Sequence, residues 1–234
     1  MKNLTMLFLL ISLSACHSTA KKSSAERAAT FPKKGKKVIK AEHYTLKNTS
    51  DGKIFNQCDL NCIWQYYYPF LDSTYVVAIQ NCPEEYFGVT DNAILYFGRN
   101  KAENDQVFLK DSLFIKIKSE FVEYKDFNGD DIKDIMIFSE TGGRGGNAFY
   151  YLYLIDPKSK RIIRIKDFET IVNPEYNKKH NVIIGYGLSG TNNYSIYKIS
   201  KNNSVYPIGE SFEDDFDSVD EELDKRITQI LKEN

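Results

Sequence analysis

The run Asp126-Phe127-Asn128-Gly129-Asp130-Asp131-Ile132-Lys133-Asp134 sets oxygen-bearing side chains at positions 126, 128, 130 and 134, with a glycine at 129 where the chain must turn. Ca²⁺ is a hard cation that takes six to eight oxygen ligands, and a short loop can supply most of them at this spacing. The predicted donor set is the side chains of Asp126, Asn128, Asp130 and Asp134, with the carbonyl of Ile132 between the last two. An EF-hand needs glycine at its sixth position and glutamate at its twelfth; here those are Asp131 and Ile137, so that motif is excluded. Ile132, Ile135 and Ile137 follow at once and predict a strand leaving the loop over Ile132–Phe138. The competing reading is a solvated Asx-rich turn, since Asn, Asp and Gly also dominate ordinary hairpins.

Outward from this loop, short apolar or alternating runs recur between turn residues. They predict strands near His43–Lys47, Ile63–Tyr68, Tyr75–Gln80, Ala93–Phe97, Val107–Leu109, Leu113–Lys118, Phe121–Tyr124, Ala148–Ile155, Ile162–Lys166, Val182–Tyr186, Tyr194–Ile199 and Val205–Ile208. With 16 Tyr, 15 Phe and only 3 Met, the composition suits sheets better than helical bundles. The expected fold is all-β and mostly antiparallel, a propeller-like or sandwich sheet stack. No repeat of fixed period is visible. Near the end, residues 210–224 carry nine acidic side chains and no basic one, and Ser218-Val219-Asp220-Glu221 has the capping-box pattern. Leu223, Ile227, Ile230 and Leu231 then share one helical face, which predicts a C-terminal amphipathic helix of about 15 residues packed on the sheet.

The N-terminus carries an address. Lys2 precedes an apolar stretch, Leu4 to Leu13, that is too short to span a bilayer, and Leu13-Ser14-Ala15-Cys16 follows. Small residues before a cysteine at this distance resemble the lipobox of bacterial lipoproteins. That resemblance implies cleavage after residue 15, lipidation of Cys16 and anchoring in the bacterial envelope, on an outer membrane facing the periplasm or on the cell surface. An ordinary secretory signal is the alternative. Residues 17–40 hold eight Lys or Arg against Glu26 alone and read as a basic disordered tether. Loss of Lys2 with the signal leaves a net charge near −2, which argues against nucleic-acid binding. Cys58, Cys62 and Cys82 remain as disulfide candidates, of which an oxidising compartment pairs two. Cys62 with Cys82 would join two strand regions, whereas Cys58 with Cys62 would close a small loop. The expected organisation is therefore signal 1–15, anchor and tether 16–40, an N-terminal β region 41–90, a β domain 91–210 with the Asp-rich loop, and an acidic segment and helix 211–234.

A glycine-rich loop, Thr141-Gly142-Gly143-Arg144-Gly145-Gly146-Asn147, precedes the aromatic run Phe149-Tyr150-Tyr151-Leu152-Tyr153; Ile171-Val172-Asn173-Pro174-Glu175 and Ser189-Gly190-Thr191-Asn192-Asn193-Tyr194 come later. With the Asp126–Asp134 loop, this order resembles the calcium-binding blades of FG-GAP and VCBS-type repeats. In particular it resembles the VCBS-like immunity lipoproteins of bacterial type IV secretion systems, which are related in fold to periplasmic inhibitors of I-type lysozyme. The likeness covers roughly residues 90–208 and leaves 41–90 unexplained. It implies Ca²⁺ at Asp126, Asn128, Asp130 and Asp134, and a lysozyme-like, peptidoglycan-cleaving glycoside hydrolase as partner. The family's usual second glycine is here Asp131. Ser189, Gly190 and Tyr194 look similar to the family's inhibitory Ser-Gly loop with its nearby Tyr, although the Gly-to-Tyr spacing is longer. Their hydroxyls suit the two carboxyl groups of a glycosidase, and glycine lets backbone enter a narrow cleft. Arg144 is a further partner-binding candidate, because a guanidinium pairs well with carboxylates. Ordinary turns are the competing reading of both loops.

No catalytic motif stands out, and a non-enzyme is expected. His17, His43 and His180 lie in no recognisable constellation, Thr191 breaks a Gly-x-Ser-x-Gly pattern, and the glycine-rich loop lacks the Lys-Ser/Thr of a P-loop. The expected function is that of a membrane-anchored calcium-binding inhibitor of a cell-wall hydrolase. The alternatives are a calcium-stabilised surface or adhesion module with no enzyme target, and a structural envelope lipoprotein.

Overall fold

The computed structural model describes residues 53–55, 62–82, 91–116, 121–142, 146–188, 190–214 and 220–234. All of them belong to one compact unit, Lys40–Asn234. Twelve strands are described: β1 (Ile63–Tyr67), β2 (Tyr75–Asn81), β3 (Ala93–Arg99), β4 (Gln106–Leu113), β5 (Val122–Lys125), β6 (Asp134–Thr141), β7 (Ala148–Asp156), β8 (Arg161–Ile165), β9 (Glu175–Asn177), β10 (Val182–Leu188), β11 (Asn192–Ile199) and β12 (Val205–Asp214). One α-helix follows, α1 (Asp220–Glu233). The strands make three four-stranded antiparallel meanders, β1–β4, β5–β8 and β9–β12, each from consecutive strands. The all-β architecture with a C-terminal helix is thus as expected.

The middle sheet is buried on both faces. Ile135 and Ile137 of β6, with Tyr151, Tyr153 and Ile155 of β7, pack against Val77, Ile79, Leu95 and Phe97 of the first sheet. Met136 and Leu152 point the other way and meet Ile183 of β10, joined by Phe127, Phe168 and Ile171. That is why β6 reads as an unbroken apolar run rather than an alternating one. The far face of the third sheet, through Val182 and Ile196, takes Ile227 and Ile230 of α1, with Leu223 and Leu231 at the margin. Full burial of such a side chain contributes about 1.5–3 kcal/mol.

Several boundaries differ from the sequence reading. The expected strand Val107–Leu109 is longer, β4 running from Gln106 to Leu113, and of the expected Leu113–Lys118 only Leu113 is strand among the described residues, 117 and 118 lying outside them. β4 stops because the next N–H groups find side-chain partners, Phe114 N–H donating to the Tyr151 hydroxyl and Ile115 N–H to Asn92 Oδ1. β6 begins at Asp134 instead of Ile132, since Ile132 N–H still donates to the Asp130 carboxylate within the loop. β9 had no counterpart, being three residues long. β12 extends to Asp214, carrying the sheet across the 210/211 seam into the acidic run. The 90/91 seam runs inside one sheet, where Asn81 of β2 pairs with Ala93 of β3. The expected strand His43–Lys47 and the Ser218 cap lie outside the described residues.

Cys62 and Cys82 form a disulfide one step beyond the Ile63–Asn81 pair, closing the open end of the β1–β2 hairpin. Cys16 and Cys58 lie outside the described residues. The stack is also clasped by charge. Arg164 of β8 pairs with Asp111 of β4 at 2.6 Å and with Glu169 at 2.9 Å, and it lies over the rings of Tyr151 and Tyr153. Asp111 also accepts the Tyr153 hydroxyl at 2.7 Å, so one partly buried network spans the first two sheets.

The helix can seat only because of Gly209. Its φ is 65°, at an irregularity in the β11–β12 register, and a Cβ there would come within 2.6 Å of Ile230 Cγ2. Gly209→Ala should lower stability by about 2–4 kcal/mol, from left-handed strain plus displacement of Ile230. Urea unfolding monitored by circular dichroism measures it; an unchanged midpoint would contradict this seating of α1.

Candidate functional site

The Asp126–Asp134 segment is the β5–β6 hairpin loop, entered after the Lys125–Asp134 pair. Two left-handed residues shape it, Gly129 at φ 78° and Asp131 at φ 63°. Asp131 therefore occupies, as a non-glycine, the conformation a second glycine would take most easily. Gly129 is required twice over, because a Cβ there would lie 2.2 Å from the Tyr176 hydroxyl oxygen. Phe127 anchors the loop to the core, edge-on against Phe168 with ring centroids 5.3 Å apart.

The carboxylates hold the loop by accepting its N–H groups. Asp126 Oδ1 accepts from Asn128 and Gly129, and Oδ2 from Asp131. Asp130 accepts from Ile132 N–H and from Asn128 Nδ2. Asp134 is fully buried, its Oδ2 accepting from Phe127 N–H and its Oδ1 from Ile155 N–H at 2.9 Å each. Among the described residues, no three His, Cys, Asp or Glu side chains converge at metal-ligating distance in this conformation. The donor chemistry nonetheless fits a hard cation: a carboxylate oxygen has two lone pairs, and each oxygen of Asp134 uses one. Burial, and then the charges of Asp130 and Asp126, push the Asp134 carboxyl from 3.8 up to about 7, against the N–H groups of Phe127 and Ile155 that hold it down. A cation would reverse that balance. Asp126, Asn128, Asp130, Asp134 and the Ile132 carbonyl are the residues that would hold it.

The β9–β10 turn of the third sheet lies over this loop. Tyr176 donates to Asn181 Oδ1 at 2.9 Å, and Lys178 Nζ pairs with Asp131 Oδ1 at 2.5 Å. Beside these contacts lies a cavity of about 310 Å³, lined by Phe127 and Asn128 of the loop and by Tyr176, Asn181, Tyr197 and Lys198 of the third sheet.

Of the partner-binding candidates, Gly190 and Tyr194 are described, and they belong to β10–β11 and the turn between them. Ser189 and Arg144 lie outside the described residues. Gly190, at φ 100°, is exposed with nothing within 4 Å of its Cβ position. Tyr194 is half-buried on β11, cross-strand from Tyr186 and Phe212, with ring centroids at 5.3 and 5.6 Å. Near them the second and third sheets are joined by two asparagines. Asn147 receives Leu188 N–H on Oδ1 at 2.9 Å and donates Nδ2 to the Leu188 carbonyl at 3.3 Å. Asn173 donates to the carbonyls of Gly146 and Tyr186 and accepts Ala148 N–H. Sequence reasoning singled out neither Asn147 nor Asn173 for this role, nor Tyr176 or Lys178 for the loop. No local signal marks them, because each acts across more than ten residues.

No family model, curated protein or solved structure matches this chain.

The elevated Asp134 pKa has a definite sign. The metal-free native protein keeps a proton that the unfolded chain has released, so this contribution to stability is complete below about pH 4 and lost as pH rises through about 7. Urea midpoints in chelator should therefore fall over that interval, and millimolar Ca²⁺ should flatten the fall. Parallel profiles with and without Ca²⁺ would count against a cation at Asp134.

Proposed function

We propose that this protein is a lipid-anchored, extracytoplasmic, calcium-stabilised binding protein that inhibits a lysozyme-like cell-wall hydrolase. The observation that carries the partner-binding part is the Asn147 clasp. It ties Asn147, where β7 is about to begin, to Leu188 at the end of β10, close in sequence to Gly190 and Tyr194. Gly190 projects into open space, which suits entry of backbone into a narrow cleft. Hydroxyls from Ser189 and Tyr194 and the Arg144 guanidinium would answer the paired carboxyl groups that glycoside hydrolases use. In this reading no residue of the chain is catalytic.

Calcium has a structural role. The eight residues of β6 separate the Asp-rich loop from the glycine-rich hairpin, about 26 Å at strand rise. At that distance the ion touches no partner; it fixes the hairpin from which β6 starts. The Cys62–Cys82 bridge is in keeping with an oxidising compartment, and anchoring rests on Cys16. No helix among the described residues is long and apolar enough to cross a membrane.

The test uses the compact unit Lys40–Asn234 with lysozyme-type hydrolases, in roughly 1 mM Ca²⁺ and in chelator. Capture and inhibition in Ca²⁺ are expected. Tyr194→Phe keeps the ring between Tyr186 and Phe212 but removes the hydroxyl, and should weaken inhibition about tenfold, with the melting temperature measured alongside to separate loss of binding from loss of fold. If hydrolases stay active in both buffers while another envelope component is captured with Ca²⁺, the protein is a surface-binding module instead.

A further inference from the structure

Lys178 stands in the turn after β9, yet its charge faces the β5–β6 loop. Its ammonium is 2.5 Å from Asp131 Oδ1, in a pair whose side chains are 69% and 79% exposed. That hydrogen bond and charge hold the lysine above its ordinary pKa, and the more distant Asp126 adds to the effect. Asp131 is the one acidic residue of the loop outside the predicted donor set. Its N–H is fixed on Asp126 Oδ2 while its carboxylate turns outward to Lys178. An unpaired Asp131 would add long-range attraction for a cation. Lys178, paired with Asp131, offsets that attraction.

We infer that Lys178, through its pair with Asp131, sets how tightly the Asp126–Asp134 loop holds a divalent cation. This rests on the calcium reading above. A unit charge several ångströms from a divalent ion, across a hydrated surface, changes affinity by about fivefold at low ionic strength. Because the pair is exposed, added salt screens the effect. The arrangement keeps the loop's affinity below what its acidic count alone would provide, and makes that affinity depend on salt.

Calorimetric titration with Ca²⁺ alone tests this on the wild type, Lys178→Gln, Asp131→Asn and the double variant, in about 20 mM and about 500 mM salt. Lys178→Gln is expected to bind Ca²⁺ about fivefold more tightly at low salt and nearly as the wild type does at high salt. Asp131→Asn, which keeps a side chain tolerant of positive φ, should bind more weakly, with the double variant between the two. Melting temperatures in chelator separate any loss of fold from a change in binding. A wild type that binds Ca²⁺ with Lys178→Gln unchanged at low salt would overturn this inference and leave the calcium reading intact. A salt-independent shift would overturn it as well. A wild type that takes up no Ca²⁺ would overturn both.

Discussion

The constraint on which the structure depends is the double burial of the middle sheet. β6 and β7 must present apolar side chains to both neighbours, so Ile135, Met136 and Ile137 are buried in succession, two toward the first sheet and one toward the third. A sheet with two buried faces cannot slip register, since a one-residue shift would exchange its two cores. The outer sheets are then set against it, and α1 closes the stack on the far side of the third. The Arg164 network adds direction to this packing, because its planar fork meets Asp111 and Glu169 along different lines.

Against this interior, Asp134 is a costly residue. A fully buried carboxyl at the start of a core strand is tolerated because two backbone N–H groups reach it, one from its own loop and one from β7. Burial and the nearby charges of Asp130 and Asp126 still raise its pKa against those bonds. The same group ties the loop to the sheet, so that charge at the loop and order in β6 are linked. At the other end of β6 the hairpins meet through Asn147 and Asn173, where amide side chains bridge backbone groups from different sheets. The Asp-rich loop and the Asn147 contacts thus flank opposite ends of β6.

Much of the strand pattern was legible because it is local. Ile63–Tyr67, Tyr75–Asn81, Ala93–Arg99 and Ala148–Asp156 are marked by β-branched and aromatic residues between turns, and the helix by its 3.6-residue period. The errors were equally physical. β4 looked shorter because its exposed polar residues interrupt the apolar pattern, and its end depends on Asn92 and Tyr151, both distant in sequence. β12 was cut short because Glu210, Glu213 and Asp214 read as solvated, although Phe212 pairs beside Tyr194. The three equal meanders left no visible period, because each sheet buries different faces and so needs different residues.

The sequence alone determined the all-β class, the C-terminal helix and the oxygen-rich loop with its two unusual backbone positions, since propensity, periodicity and turn chemistry act over a few neighbouring residues. Only the tertiary structure decided which two cysteines pair, that residues 63–81 share a sheet with residues 93–113, that Lys178 and Tyr176 lie on the loop, and that Asn147 joins two hairpins. Those contacts join segments 12 to 47 residues apart. Their existence depends on how three sheets stack to bury both faces of the middle one, and no local stretch of sequence encodes that stacking.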